Sequence, residues 1–379
     1  MRQIYFDYNA TTPIAPSVQE AMLPFLVEHF GNPSSNHSLG RAAHEAIEDA
    51  RGQVGQLLGA DAEEIVFTSG GTEANNLAIK GVFLRRGISS GGHVVVSAIE
   101  HPSVVGPVKF LEGLGLDVTV VGVNGQGAVQ PNAVRAALRD DTLLVSILHA
   151  SNETGVIQPL RQIAEICHAR QILLHTDAAQ TVGRIRTLVD ELEVDLLSIA
   201  GHKMYAPKGV GALYIRHGVP LEPLLHGAGH EGGLRAGTEN VAFIVGLGRA
   251  CSLAAKNLDE SQERLSNLRD RLWNLLLRGV GDDLSLNGQL AQRLPNTLSL
   301  LFPGVNGQEL LAHIPELCAS TGAASHSQTM VVSPTLAAMG VSQEHARGLV
   351  RLSLGWFTTE EEVDRAASLL IGAWESLHG

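Results

Sequence analysis

The sequence predicts an α/β protein: a large domain built on a mostly parallel sheet with helices on both faces, plus a smaller α/β C-terminal domain. Three observations carry this. Short apolar runs alternate with stretches of helical period up to Lys203, at spacings that suit crossover connections. The residues of that span with candidate chemistry fall at C-terminal ends of the runs, where open α/β sheets bind ligands. Beyond them, an amphipathic stretch leads to further strand-like runs and a last helix. The expected boundaries are residues 14–256 for the large domain, and 1–13 with 257–379 for the small one.

Taken in order, residues 4–13 read as a short strand and a turn. Arg41 to Leu58 repeats its apolar residues at helical spacing. Glu64 to Phe67 is a strand running into Thr68-Ser69-Gly70-Gly71-Thr72-Glu73-Ala74-Asn75-Asn76 and a helix. Glycines there let the backbone approach an anion. The free N–H groups and dipole of a helix N-terminus favour phosphate, and Thr72 adds a hydroxyl. The strand His93 to Ser97 leads to His101 and Ser103. Strands follow at Val118 to Val123 and Leu143 to Leu148, the second leading to Asn152-Glu153-Thr154-Gly155. Ile172-Leu173-Leu174 leads to His175-Thr176-Asp177-Ala178-Ala179-Gln180, and Leu196 to Ala200 leads to Gly201-His202-Lys203. Leucines at helical spacing from Leu258 to Leu277 predict the helix that joins the two domains. Thr297 to Phe302 and Leu349 to Leu354 are strands of the second domain, and Thr359 with Glu362 forms a capping box that opens a last helix.

Composition narrows the function. The 379 residues are 44% hydrophobic and 17% charged, an ordinary globular balance. A net charge of −12 argues against binding nucleic acid by phosphate neutralisation. No apolar run approaches membrane-spanning length and the start is no signal peptide, so no membrane partner and a cytoplasmic location are expected. Cys167, Cys251 and Cys318 show no metal-finger spacing and read as small buried residues. His226 and His230 lie in glycine-rich chain, and no metal site is expected.

Lys203 and Asp177 carry the chemistry. A lysine leaving a buried strand loses hydration, which lowers its pKa and makes it a usable amine nucleophile. Alone it reads as a solvated loop residue, and Asp177 alone reads as a helix cap. Together they match what pyridoxal phosphate requires: a lysine to bond its aldehyde and an acid to pair with its ring nitrogen.

The pattern H-x-D-A-A-Q followed by G-H-K-x-Y-x-P-K-G resembles the cysteine desulfurase and selenocysteine lyase family, class V enzymes of pyridoxal-phosphate fold type I. The similarity extends to Asp7…Ala10-Thr11-Thr12-Pro13, Gly31-Asn32-Pro33-Ser34-Ser35, the N-E-T-G at Asn152 and the loop Gly229 to Asn240. It implies that Lys203 bonds the cofactor and moves the Cα proton, and that Asp177 keeps the ring nitrogen protonated. It implies that His101 stacks on the ring and relays protons, and that Asn152 contacts the phenolic oxygen beside Gln180. Gly71, Thr72 and His202 belong to the phosphate end, with Thr238 arriving from the partner of a homodimer. Arg351 clamps the substrate carboxylate, with Asn32 also on the substrate side. The implied reaction releases sulfur or selenium from L-cysteine or L-selenocysteine, leaving L-alanine, with an acceptor protein as a further partner.

One position departs. The family's loop reads G-A-A-C-H-S, and here it reads Gly322-Ala323-Ala324-Ser325-His326-Ser327. Ser325 stands where the sulfur-accepting cysteine belongs. A thiol of pKa about 8.5 is partly ionised near neutrality, whereas a serine hydroxyl is not and carries no persulfide. The intact flanks favour a cysteine-to-serine exchange in an otherwise competent enzyme. The alternatives are a natural C–S β-lyase that needs no enzyme thiol, and a silent scaffold that only binds the cofactor.

Overall fold

The computed structural model describes residues 3–87, 90–321 and 332–378, so Ser325 lies outside the described residues. In chain order the elements are β1 (Ile4–Tyr5), α1 (Pro16–Val27), α2 (Ser38–Leu58), β2 (Ile65–Thr68), α3 (Gly71–Arg86), β3 (His93–Ser97), α4 (Pro102–Glu112), β4 (Asp117–Val121), α5 (Pro131–Ala137), β5 (Thr142–Ser146), α6 (Leu160–His168), β6 (Leu173–Asp177), α7 (Val189–Leu192), β7 (Leu196–Ala200), β8 (Gly211–Ile215) and α8 (Val241–Val280). Then come β9 (Ser285–Leu286), β10 (Thr297–Leu301), α9 (Gly307–Ala312), β11 (Leu317–Cys318), α10 (Pro334–Ala338), α11 (Gln343–Ala346), β12 (Leu349–Ser353) and α12 (Glu360–His378).

A seven-stranded sheet in the order β2-β8-β7-β6-β5-β3-β4 is the centre. β4, β3, β5, β6 and β7 run parallel, while β8 is antiparallel to both β7 and β2. Alternation along the strands sorts side chains to two faces. Val94, Val96, Leu144, Leu196 and Leu213 pack with Leu77, Phe83 and Val104 of α3 and α4. Val95, Val145, Leu197, Ala212 and Tyr214 pack on the other face with Val18, Ile47, Val54, Ile163 and Leu247. Because both faces are covered, the strands read as apolar runs without polar alternation.

A separate apolar cluster gathers Ile4 and Phe6 with Leu268, Leu272, Leu298, Val350, Leu352 and Leu370. It lies on the antiparallel sheet β9-β10-β12, and β1 pairs with β11 in parallel. The capping box at the start of α12 is formed: Thr359 N donates to Glu362 Oε2 at 3.1 Å, and Glu362 N donates to Thr359 Oγ1 at 3.2 Å.

The helix expected from Leu258 to Leu277 is the later half of the 40-residue α8. Its first half escaped the leucine pattern because close packing there needs small residues. A Cβ on Gly248 would lie 2.6 Å from Ala50, and one on Gly246 would lie 2.7 Å from Met22 Sδ. An 18-residue stretch of α8 has mean hydropathy 1.3, long and apolar enough to cross a membrane, contrary to the expectation that no run approaches it. Gly246 and Gly248 are instead pressed against α1 and α2, as in a core helix. Cys167 and Cys251 are buried, but Cys318 is only half-buried. It sits on β11, opposite Tyr5.

Candidate active site

Parallel strands end at a common edge, and there one cavity of about 320 Å³ is lined by Gly71, Thr72, His101, Asn152, Asp177, Gln180, His202 and Lys203. Residues from four strand ends and one helix start thus converge. Asn32 and Thr238 are exposed and do not line the cavity. Arg351 is buried nearby on β12, donating from one amino group to the Asn152 carbonyl at 3.1 Å and from the other to Asp7 Oδ1 at 2.8 Å.

Lys203 lies in a single 3-10 turn after β7. Its Nζ donates to the carbonyls of Asn9 and Ala10 at 2.5 and 2.8 Å, so the N-terminal segment crosses over the lysine. Burial, with Arg184 and Arg351 adding repulsion, pushes its pKa down to about 8 despite the opposing pull of Asp177 and Asp7. Thr12 explains the threonine pair of the N-terminal motif. Its N–H donates to the His202 carbonyl at 2.9 Å, and its Oγ1 accepts from Tyr205 N at 2.8 Å. Tyr205, at φ +67, stacks on Trp356 with ring centroids 3.8 Å apart. The ring is thus held although its backbone is in the left-handed region, at a cost on the order of 1 kcal/mol. His202 is driven to a pKa of about 4 by burial and by Lys203, Lys208 and Arg184, so it is neutral at pH 7.

Asp177 ends β6. Oδ1 accepts from Ala179 N at 3.0 Å and Oδ2 accepts from Asn75 Nδ2 at 2.7 Å. His101 caps α4, its Nδ1 accepting from Ser103 N at 3.1 Å. Part of its ring is exposed, yet the atoms around it desolvate it enough to hold its pKa below the ordinary value. Glu100, beside it, is buried and its pKa rises to about 8. It accepts from Ser97 Oγ at 2.5 Å and Leu148 N at 2.9 Å, tying the ends of β3 and β5 together.

The site suits pyridoxal phosphate. Gly70, at the head of α3, provides no side-chain cap, so first-turn N–H groups remain for an anion. A Cβ on Gly71 would come 3.1 Å from Ala200 Cβ, which marks a narrow cradle. The carboxylate and the amine that the cofactor needs stand on neighbouring strands, β6 and β7.

Sequence reasoning missed Asn75, Ser103, Asn9 and Arg184 as site residues. Arg184 is buried and binds Asn9 Oδ1 at 2.7 Å, Gln180 Oε1 at 2.6 Å and the Tyr8 carbonyl at 2.8 Å. Both amide atoms of Gln180 are therefore engaged, since its Nε2 donates to the Asn9 carbonyl at 3.0 Å. Asn75 lies inside α3, just after the Gly-rich turn, and nothing local in the sequence ties it to Asp177 or Ser103.

The comparisons agree with this geometry. Residues 4–366 match the model of the Aminotransferase class-V family. The chain is 47% identical over 371 residues to a cysteine desulfurase IscS of Dictyoglomus turgidum, covering 97% of this chain and 94% of that one. It is 46% identical over 372 residues to one of Methanosarcina thermophila, covering 97% and 91%. Among solved structures, a NifS-like protein superposes with TM-score 0.91 at 38% identity, covering 99% of both chains. The structure of SspA in complex with cysteine gives 0.84 at 37% identity, covering 94% of this chain and 99% of that one. With a fold of that kind and its strand-end cavity, the chain belongs to the class-V aminotransferase family of pyridoxal-phosphate enzymes, in the branch of the cysteine desulfurases.

Proposed function

We propose that this enzyme takes sulfur from L-cysteine, or selenium from L-selenocysteine, and leaves L-alanine. In balanced form, L-cysteine and an acceptor thiol give L-alanine and a persulfide. The observation that carries the reading is the convergence of Lys203 and Asp177 on one cavity. Pyridoxal phosphate, when bound, supplies an electron sink for the substrate's Cα. Gly71, Thr72 and His202 would hold its phosphate end, Asp177 its ring nitrogen, and Asn152 with Gln180 its phenolic oxygen. His101 would lie against its ring.

The remaining work falls to the chain's own groups. Lys203 Nζ, with a pKa near 8, takes the Cα proton and returns one. Arg351 would orient the substrate carboxylate, a place that nothing in the geometry gives to the exposed Asn32. The Arg351 Nε has no partner among the described residues, which leaves a donor after Asp7 and Asn152 are served. Thr238 would complete the cofactor site of a second copy, which suits its exposed position in a loop whose Arg235 reaches Glu73 of α3 at 3.0 Å. The exposed Leu23, Leu26, Val27 and Phe30 suit cover by that copy. On this reading residues 14–256 form the large domain and 1–13 with 257–379 the small one, and the enzyme would work in the cytoplasm with a sulfur- or selenium-acceptor protein.

Ser325 is the limiting residue, because a hydroxyl neither attacks the substrate's sulfur at neutral pH nor carries a persulfide. The elimination and scaffold readings are not favoured, since relatives matching almost end to end are cysteine desulfurases. The test compares this chain with Ser325→Cys on L-cysteine, measuring alanine and pyruvate. Alanine that appears with the cysteine variant supports the reading. Efficient pyruvate formation by the serine form, or no alanine from the variant, overturns it.

A further inference from the structure

His101 Nδ1 faces two groups of Ser103: the backbone N–H at 3.1 Å and Oγ at 2.7 Å. A backbone N–H can only donate, so Nδ1 must accept. The hydroxyl's direction follows from its other neighbour. Asn75 Nδ2 lies 2.7 Å from Asp177 Oδ2 and 2.8 Å from Ser103 Oγ. A carboxylate only accepts, so the atom facing Asp177 is the amide nitrogen. Its second hydrogen goes to Ser103 Oγ, which leaves the hydroxyl hydrogen for His101 Nδ1. Two donors converge on Nδ1, in a chain that begins at Asp177.

We propose that Asn75 and Ser103 are positioning residues that keep the proton of neutral His101 on Nε2, so that His101 meets the cavity as a hydrogen-bond donor and not as a base. Nε2 makes no hydrogen bond among the described residues, and His101 lines the cavity. Swapping the tautomer would set an N–H against the Ser103 N–H and break the cap of α4. Giving up the Nε2 proton altogether would leave an imidazolate. The base for the substrate's Cα proton is then Lys203 alone. The charged and titratable neighbours acting with His101 are Asp177, Lys203 and His202, of which Asp177 favours the protonated ring while Lys203 opposes it. This assignment of the base rests on the reaction proposed above, whereas the position of the proton does not.

The test is nitrogen NMR of the cofactor-loaded protein labelled with ¹⁵N-histidine, with the His101 signals identified by their loss in His101→Gln. Nδ1 should read as an unprotonated acceptor and Nε2 as N–H. In Ser103→Ala one donor to Nδ1 is gone, so the neutral ring is less favoured and the His101 pKa should rise by roughly half to one unit. Ser103→Thr keeps the hydroxyl and should restore the parent value. A proton on Nδ1, an even mixture of tautomers, or an unshifted pKa in Ser103→Ala overturns the proposal. These readouts do not depend on turnover, so a failure of the proposed reaction remains distinguishable from a failure of the relay.

Discussion

Arg351 and Asp7 are joined by an ion pair of 2.8 Å, although one sits on β12 and the other just past the first strand. The Arg351 side chain is 7% exposed and that of Asp7 22%, so the pair is screened weakly. The pair anchors the N-terminal segment, whose Asn9 and Ala10 carbonyls accept from Lys203.

Asp7→Asn should therefore leave a buried guanidinium without its counter-charge. The cost is about 3 kcal/mol, at the lower end for buried pairs because Asp7 is partly solvated. Thermal melting should show a clear drop. Replacing both partners, as Asp7→Asn with Arg351→Met, should recover part of it. A melting temperature for Asp7→Asn equal to that of the parent would sink the idea.

The depressed pKa of Lys203 sets a pH dependence. The neutral amine attacks the cofactor's aldehyde, and its fraction grows as pH rises through about 8. Well below that value each pH unit changes the fraction by about tenfold. Cofactor capture by stripped protein, followed by absorbance, should accelerate with pH and level off above the midpoint. A midpoint near the ordinary 10.5 would show that the packing around Lys203 does not depress it.

Asp177 can be tested without the missing thiol. Exchange of the Cα proton of L-alanine in D₂O needs only the cofactor, Asp177 and a base. Asp177→Asn should slow it by at least about 100-fold, the scale on which a preorganised charge in an active site acts. Lys203→Ala should abolish it. Proton NMR of the amino acid reads both, and unchanged exchange in Asp177→Asn would remove Asp177 from its assigned place.

Selenium should separate the two halves of the site. A selenol is more acidic than a thiol and leaves carbon more readily, so L-selenocysteine is the more permissive substrate. Ser325→Cys should raise alanine output with both substrates, and the serine form should do better with selenocysteine than with cysteine. Equal, negligible output by the cysteine variant on both would count against Ser325 as the limiting position.

The proposed assembly would use Thr238 and the apolar residues at and just past the end of α1. Phe30 is 76% exposed and Leu26 57%. Sedimentation at micromolar concentration should give a two-chain species. Leu26→Asp with Phe30→Ser should shift it toward single chains and weaken cofactor retention. A single-chain species that keeps the cofactor fully bound would refute the shared site.

The sheet and half of the site were legible because both are local patterns. Apolar runs of β4 to β7 length, and motif residues placed just after them, report backbone period and strand ends directly. The strand β8 and the first half of α8 were not legible. β8 follows no helix, since an antiparallel return needs no crossover. The start of α8 is almost continuously apolar from Val241 to Leu247, so no polar face marks its period.

By itself, then, the sequence determined the layered α/β fold and the order of strand ends that brings Lys203, Asp177, His101 and Thr72 together, because parallel connections leave few alternatives. Only the tertiary structure decided how those groups are tuned. Asn75 finds Asp177 across 102 residues, and Lys203 finds the Asn9 carbonyl across 194. Hydrogen-bond direction, desolvation and the pairing of buried charges depend on distances of 3 Å between segments far apart in the chain. Such distances exist only once the sheet order and the crossing of the N-terminal segment are fixed.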